Sequence, residues 1–229
     1  MDGLLVDSEP LWFETECAVM SRMGGTWTRA DQLELTGSTL AEGVAIMRRK
    51  APRPADPGLV GRWLVDGVTQ LVASRGVPLL PGAAELLAEL AAAGIPRALV
   101  TSAQRQVMDA VIGATGLSFG VTVCGEDVRR GKPDPEPYLR AAALLGTDPA
   151  GCVVFEDSPR GIEAAQAAGC PVIAVPSVPL PASLVQADPP GRVIVTSLHE
   201  VDLARIHDVA RLSCPGGPSG ENPPSPGLL

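Results

Sequence analysis

Beyond residue 78, short apolar runs alternate with stretches of helical periodicity, and this alternation constrains the fold more than any other feature of the sequence. The predicted strands cover residues 97–101, 121–123, 152–155, 171–175 and 192–195, and the predicted helices between them cover residues 83–93, 103–115, 134–145 and 159–168. Short β-rich runs separated by helices are typical of a parallel sheet that is covered on both faces. We therefore predict an α/β fold with a Rossmann-like, doubly wound parallel sheet.

Residues 10–78 carry a different pattern, which is helical throughout. Ser8 can cap a first helix, Thr28 and Thr39 each precede an acidic residue by three positions, and Asp56 opens a fourth helical run. A hydroxyl or carboxylate followed three residues later by an acid marks a helix N-terminus. We expect four helices in this segment.

These two patterns divide the chain. We predict a core formed by residues 1–9 and 79–212, with residues 10–78 inserted into it as an all-helical cap domain. Residues 213–229 are mostly Pro, Gly and Ser and have little to bury. Such a composition predicts a disordered tail.

The charge balance argues against polyanionic partners. The chain has 18 Lys and Arg residues against 26 Asp and Glu residues, a formal net charge of -8. Nucleic acids and anionic membranes attract a positive field, so we predict neither as a partner and expect a small phosphorylated metabolite instead. The longest apolar stretch, residues 86–100, is interrupted by Glu89 and Arg97, so we predict no membrane span.

Cysteine usage and the N-terminal residues indicate the compartment. The five cysteines show no CxxC spacing, which argues against a zinc site and against a disulfide framework. Residues 1–9 are acidic and lack the basic segment of a secretory signal. We therefore predict a reduced, cytoplasmic setting, and the sequence leaves the oligomeric state open.

Two candidate motifs stand next to predicted elements of the core. Ligands of α/β sheets bind outside the carboxyl ends of strands, which directs attention to these places. Asp2 lies beside the glycine turn at Gly3, and Thr101 and Ser102 end a buried strand at a predicted helix start, where backbone N–H groups attract anions. Taken alone, Asp2 could be a solvated turn residue, and the two hydroxyls could be a simple helix cap.

Two further motifs carry a cation and a pair of acids. Lys132 lies in a stiff Gly-Lys-Pro-Asp-Pro loop that would aim its ammonium, although an idle surface lysine is the alternative. Glu156 and Asp157 end an apolar strand directly before a helix. Adjacent carboxylates repel each other unless a cation shares them, and hard oxygen ligands suit Mg²⁺. We therefore favour a metal site over helix capping at these two acids.

The order and spacing of the four motifs resemble the haloacid dehalogenase superfamily, specifically its members with a helical cap after the first motif. The resemblance covers residues 1–205. It implies that Asp2 is the general acid/base and lends its backbone carbonyl to Mg²⁺. It also implies that Thr101 and Lys132 are catalytic groups that hold the phosphoryl group, with Ser102 beside them.

The same resemblance implies the remaining metal ligands and the activity. Asp157 corresponds to a direct ligand of Mg²⁺, and Glu156 assists it directly or through water. The implied reaction is Mg²⁺-dependent hydrolysis of a small phosphate monoester through an aspartyl-phosphate. The stretch from Met1 to Trp12 and the Leu-Leu-Pro-Gly sequence at 79–82 are most similar to phosphatases of sugar and polyol phosphates.

The sequence departs from the family pattern at its start. Met1 occupies the position between the two aspartates of the first motif, so the nucleophilic Asp and the central strand before it are implied upstream of Met1. We therefore expect the first central strand to be missing and this chain by itself to be inactive. A start codon assigned too late and a decayed pseudoenzyme are the two explanations, and the retained motif residues favour the first.

Three other functions are weighed against phosphatase activity. Phosphomutases similar to β-phosphoglucomutase share the motifs, but they carry His and Arg at the positions of Trp12 and Leu40. Dehalogenases do not keep an Asp at the position of Asp2, which disfavours them. A truncated, non-catalytic binding protein is the remaining alternative.

Overall fold

The computed structural model describes residues 1–35, 37–186, 189, 191–212 and 227–228. The helices are α1 (Glu9–Arg22), α2 (Arg29–Leu33), α3 (Leu40–Lys50), α4 (Pro57–Arg75), α5 (Ala83–Ala92), α6 (Arg105–Thr115), α7 (Glu136–Leu145), α8 (Pro159–Ala167), α9 (Ala182–Gln186) and α10 (Leu203–Leu212). The strands are β1 (Ala98–Val100), β2 (Val121–Val123), β3 (Cys152–Glu156), β4 (Val172–Ala174), β5 (Arg192–Ile194) and β6 (Gly227–Leu228). The predicted alternation of strands and helices is confirmed, and the α/β class with it.

Every strand pair in the described part of the chain is parallel, as predicted. Successive residues of β3 face opposite layers: Val153 packs with α5 and α10, whereas Val154 packs with α7 and α8. Both side chains are fully buried. Side chains of a strand point alternately to the two faces, so a strand that is apolar at every position must be covered on both sides.

The strands form two sheets among the described residues, where the sequence predicted one. Strands β1 and β2 pair with each other, and a second sheet has the order β5-β4-β3-β6. A narrow apolar groove of about 70 Å³ separates β1 from β3 and is lined by Leu99, Val100 and Phe155. No described strand bridges this groove, whereas the sequence predicted one sheet whose first central strand is missing. The expected missing strand stays a prediction.

The segment predicted to be a disordered tail is only partly described. Residues 213–226 and 229 lie outside the described residues. Gly227 and Leu228 form β6, which pairs with Cys152 and Val153 at the β3 edge that faces the groove side. A free strand edge offers backbone groups with which such an extended segment can pair. The disordered tail stays a prediction.

Residues 9–75 hold the four expected helices. Thr28 and Thr39 form the predicted capping boxes, each hydroxyl accepting from the backbone N–H three residues on. Ser8 precedes α1 but makes no side-chain cap bond, since its hydroxyl donates to Asp2. Helix α4 packs along α6 of the core through Val68 and other apolar residues. That these helices act as a separate cap domain stays a prediction.

Helix length and polarity bear on membrane insertion. Among the described residues, none of the helices is both long enough and apolar enough to cross a bilayer.

Candidate functional site

A pocket of about 390 Å³ lies between the helices of residues 9–75 and the loops at the carboxyl ends of β1 and β3. All six residues that the sequence singled out line this pocket: Asp2, Thr101, Ser102, Lys132, Glu156 and Asp157. These residues are separated by up to 155 positions in the chain. The structure therefore brings together the whole predicted set, whereas the role of each residue stays a prediction.

The first and fourth motifs meet at Gly3. The backbone of Gly3 has φ +71°, and a Cβ added there would lie 2.4 Å from Asp157 Oδ2. Only glycine combines this left-handed conformation with so close an approach. The Ser8 hydroxyl donates to Asp2 Oδ1 and orients that carboxylate. Asp2 and Asp157 therefore lie at adjacent positions in the pocket wall.

The loop after β1 holds the second motif. Thr101 is buried, and its Oγ1 accepts from the backbone N–H of Ala103 at 3.1 Å, whereas Ser102 is exposed. Helix α6 begins only at Arg105, with Gln104 as its N-cap. The prediction that the two hydroxyls stand at a helix start is therefore wrong. A short bend at Ser102 and Ala103 lies between the strand and the helix. The Gly125 N–H donates to the Ala103 carbonyl oxygen and holds this loop against the next one.

The third motif is tied to the fourth by a buried ion pair. Lys132 Nζ donates to Glu156 Oε1 and, at 3.3 Å, to the carbonyl oxygen of Val100. The Tyr138 hydroxyl also donates to Glu156 Oε1. Burial by itself would raise the pKa of Glu156, but the Lys132 ammonium, the hydrogen bond from Tyr138 and the N-terminal ammonium together lower it. Glu156 is therefore a carboxylate whose charge keeps Lys132 in the pocket wall.

Space for Glu156 is provided by a glycine in α8. A Cβ on Gly161 would lie 2.0 Å from the Glu156 carboxyl carbon. The second oxygen, Oε2, accepts from the backbone N–H groups of Asp157 and Ser158 and from the Ser158 hydroxyl at 3.1 Å. Both oxygens of Glu156 accept hydrogen bonds from protein donors. Its expected assistance to the metal, directly or through water, stays a prediction.

Asp157 is the acid that is oriented toward the pocket. Its Oδ2 accepts from the Ser177 hydroxyl at 2.6 Å. Burial raises the pKa of Asp157, and the Glu156 carboxylate raises it further. A cation would relieve both effects, and hard oxygens such as the Asp157 carboxylate and the Asp2 carbonyl suit Mg²⁺. Within the described part of the chain, no cluster of three or more His, Cys, Asp or Glu residues is arranged to hold a metal by itself.

The structure adds pocket residues that the sequence reasoning missed. Glu16 and Gln32 line it from the helical side and are both buried. Arg160, at the start of α8, donates to Glu42 Oε2 of α3 at 2.9 Å. Glu16 follows Trp12, another lining residue, by four positions on α1. That spacing places both on one helix face and could have identified Glu16.

Comparison of the sequence with known protein families gives one match over most of the chain. The sequence profile of the haloacid dehalogenase-like hydrolases matches residues 1–175. The chain is 33% identical over 226 residues to hexitol phosphatase A of Escherichia coli, covering 96% of this chain and 94% of that protein. It is 43% identical over 188 residues to the protein CbbY of Rhodobacter capsulatus, covering 77% of this chain and 83% of that protein.

A solved structure shows the same arrangement of elements. The crystal structure of CbbY from Rhodobacter sphaeroides, in complex with phosphate, superposes with a TM-score of 0.77 at 29% identity, covering 87% of this chain and 92% of that chain. These similarities support a phosphatase-type hydrolase. They give no support to the expectation that the present chain is inactive.

Proposed function

The chain belongs to the haloacid dehalogenase-like hydrolase family, and on that premise we propose that it hydrolyses the phosphate monoester of a sugar or polyol, with Mg²⁺ as cofactor. The observation that carries the proposal is the convergence of Asp2, Thr101, Lys132 and Asp157 on one pocket. The similarity to hexitol phosphatase A supports the substrate class.

Phosphate binding is proposed for the loops after β1 and before α7. The Lys132 ammonium, held by Glu156, offsets the charge of the phosphoryl oxygens. The exposed Ser102 hydroxyl and the Thr101 hydroxyl donate to the same oxygens. Because Lys132 is positioned before the ligand arrives, little reorganisation is needed as charge develops in the transition state.

Proton transfer is proposed for Asp2. The Ser8 hydroxyl keeps the Asp2 carboxyl in place, so that Asp2 can protonate the leaving alkoxide and then accept a proton from water. Mg²⁺, held by Asp157 and the backbone carbonyl of Asp2, would stabilise negative charge on the phosphoryl group. Glu156 contributes indirectly, because its carboxylate holds the Lys132 ammonium in place. We propose that an aspartate carboxylate attacks phosphorus and forms an aspartyl-phosphate, as the family resemblance implies.

Phosphomutase activity is the weaker alternative. Trp12 and Leu40 both line the pocket, where the mutases of this group carry His and Arg. An indole and an aliphatic side chain supply neither a proton-transferring imidazole nor a phosphate-binding guanidinium. We therefore propose release of free phosphate, in the cytoplasm.

The test is phosphate release from glucitol 6-phosphate with and without Mg²⁺. The chain from Met1 and a chain extended upstream by an apolar strand ending in Asp are assayed side by side. In each form that releases phosphate, we expect EDTA, Asp157→Ala and Lys132→Ala each to abolish the release. Release that persists in EDTA and in Asp157→Ala would overturn the proposal, and an isomerised phosphate ester seen by ³¹P NMR would establish the mutase instead.

A further inference from the structure

A buried carboxyl group faces the pocket from the side opposite the predicted phosphate-binding residues. Glu16 lies in the middle of α1 and is 5% exposed, yet it is one of the residues that line the pocket. Nothing in the proposed hydrolysis uses it. A buried acid without a catalytic or metal-binding role requires a partner, since burying an unpaired polar group costs free energy.

One oxygen of this carboxyl group is occupied by the protein. Trp27 Nε1 donates to Glu16 Oε2 at 2.9 Å. Thr69 Oγ1 and Arg97 Nε are the fully buried side-chain polar atoms left without a partner in the described part of the chain. Glu16 Oε1 is not one of them and accepts from none of the described donors, and Glu16 lines the pocket. This is the oxygen that we assign to a ligand.

Gln32, which lines the same pocket as Glu16, is fixed by hydrogen bonds of its own. Gln32, which is 7% exposed, donates from Nε2 to the backbone carbonyl and the side chain of Glu9 at 3.1 Å each, and its Oε1 accepts from Arg29 at 2.8 Å. These bonds join α1 to α2 at the pocket wall. Burial raises the pKa of Glu16 to about 7, so near neutral pH the group both donates and accepts hydrogen bonds.

We propose that Glu16 is a substrate-binding residue that recognises hydroxyl groups on the carbon chain of the substrate. A hydroxyl both donates and accepts, which matches a carboxyl group that exists in both protonation states. The inference rests on the proposed function and narrows it to phosphate esters that carry hydroxyls away from the phosphate. An alkyl phosphate would leave Glu16 Oε1 desolvated and unpaired, which costs about 10- to 100-fold in affinity.

The test measures dissociation constants by calorimetry in EDTA, which stops the proposed hydrolysis, for inorganic phosphate, glucitol 6-phosphate and hexyl phosphate. The last two ligands have the same carbon chain, with and without hydroxyls. We expect the unmodified protein to prefer glucitol 6-phosphate by about 10- to 100-fold. We expect Glu16→Leu to lose this preference while it binds inorganic phosphate unchanged.

Two variants guard against misfolding and unspecific effects. Glu16→Gln keeps an oxygen for Trp27 and should retain part of the preference, because its amide still donates to hydroxyls. Glu14→Leu removes an acid from the same helix, but one that is exposed and paired with Arg75, and should behave like the unmodified protein. Circular dichroism and thermal melting verify that each variant is folded.

The outcomes separate the inference from the proposed function. An unchanged preference in Glu16→Leu, with phosphate still bound, would overturn the role of Glu16 and leave the phosphatase proposal standing. Failure of the unmodified protein to bind either inorganic phosphate or glucitol 6-phosphate would overturn both. Tighter binding of glucosamine 6-phosphate than of glucitol 6-phosphate, lost in Glu16→Gln, would show that Glu16 pairs with an ammonium and would overturn the hydroxyl assignment.

Discussion

At the residue scale, the pocket contains two buried acids whose protonation is set in opposite directions. Glu156 has the Lys132 ammonium beside it, which lowers its pKa. Among the described residues, no cation forms an ion pair with Glu16. Burial raises the pKa of Glu16, Trp27 and Arg29 offset part of that rise, and Glu9 adds to it. Glu156 therefore contributes a fixed negative charge, whereas Glu16 titrates near neutral pH.

Glu16→Gln is expected to stabilise the protein at high pH. The pKa of Glu16 rises from 4.5 to about 7 on folding, so its contribution is fully present below pH 4.5 and is lost as the pH rises through about 7. Glutamine stays neutral and keeps the bond from Trp27. We expect a gain in the free energy of unfolding on the order of 1–2 kcal/mol near pH 8 that vanishes near pH 4, below the pKa of the unfolded state. Urea denaturation at both pH values measures it, and an equal gain at both would contradict the assigned titration.

Gly161→Ala is expected to disturb the buried ion pair. The new methyl group would lie 2.0 Å from the Glu156 carboxyl carbon, so the carboxylate must shift, which disturbs its pairing with Lys132. We expect a loss of about 1–3 kcal/mol of stability, together with weaker binding of inorganic phosphate. Gly113→Ala in α6 is the matched control, since no atom lies within 4 Å of its Cβ. The control should be stabilised by up to about 1 kcal/mol, and equal effects of the two changes would refute the steric argument.

At the scale of elements, α8 and α3 are joined across the pocket by one side chain. Arg160 donates from Nε to the carbonyl of Lys132 at 3.1 Å and from Nη1 to Glu42 Oε2 at 2.9 Å. Glu42 also caps α3, and the backbone N–H of Thr39 lowers its pKa, with a smaller contribution from Arg160. Arg160 therefore links the loop of the third motif to the helical segment that covers the pocket.

Arg160→Ala is expected to weaken binding of glucitol 6-phosphate by about 2- to 5-fold, because a partly exposed ion pair contributes at most about 1 kcal/mol. A double-mutant cycle with Glu42→Gln should show that the two effects are not additive. Arg75→Ala is the control, since Arg75 pairs with Glu14 between α4 and α1 and away from the pocket. The role assigned to Arg160 fails if its variant binds the ligand as well as Arg75→Ala does.

At the scale of the whole molecule, the groove between β1 and β3 divides what the α/β pattern predicts as one sheet. Leu99 and Val100 lie on one side and Phe155 on the other, while β6 pairs with only the first two residues of β3. Apolar walls and partly unpaired strand edges are the conditions under which a further extended segment can insert.

We expect the protein to melt at a higher temperature when the chain is extended before Met1 by an apolar strand of about five residues that ends in Asp. The chain from Met1 is the reference. The added strand would pair with both β1 and β3 and remove the groove. Hydrogen exchange should then show slower exchange at β1 and β3 than in the shorter form. Equal melting temperatures and unchanged exchange in these strands would show that the groove does not accept this segment.

The sequence by itself determined the features that depend on neighbours along the chain. The helix and strand order, the capping boxes at Thr28 and Thr39 and the four motifs follow from interactions within a few residues, which is the range over which composition and spacing act. The family resemblance then grouped the motif residues into one site. Their convergence on one pocket agrees with that grouping.

Only the tertiary structure decided which distant groups meet. Glu156 contacts Lys132 and Tyr138, which come from other parts of the chain and which no local pattern paired with it. Ser8 was expected to cap α1, but its hydroxyl binds Asp2. The opening of Glu16 toward the pocket likewise depends on how α1 packs against α2 and the core. Burial and charge pairing between remote residues set these outcomes, and neither is encoded in local sequence patterns.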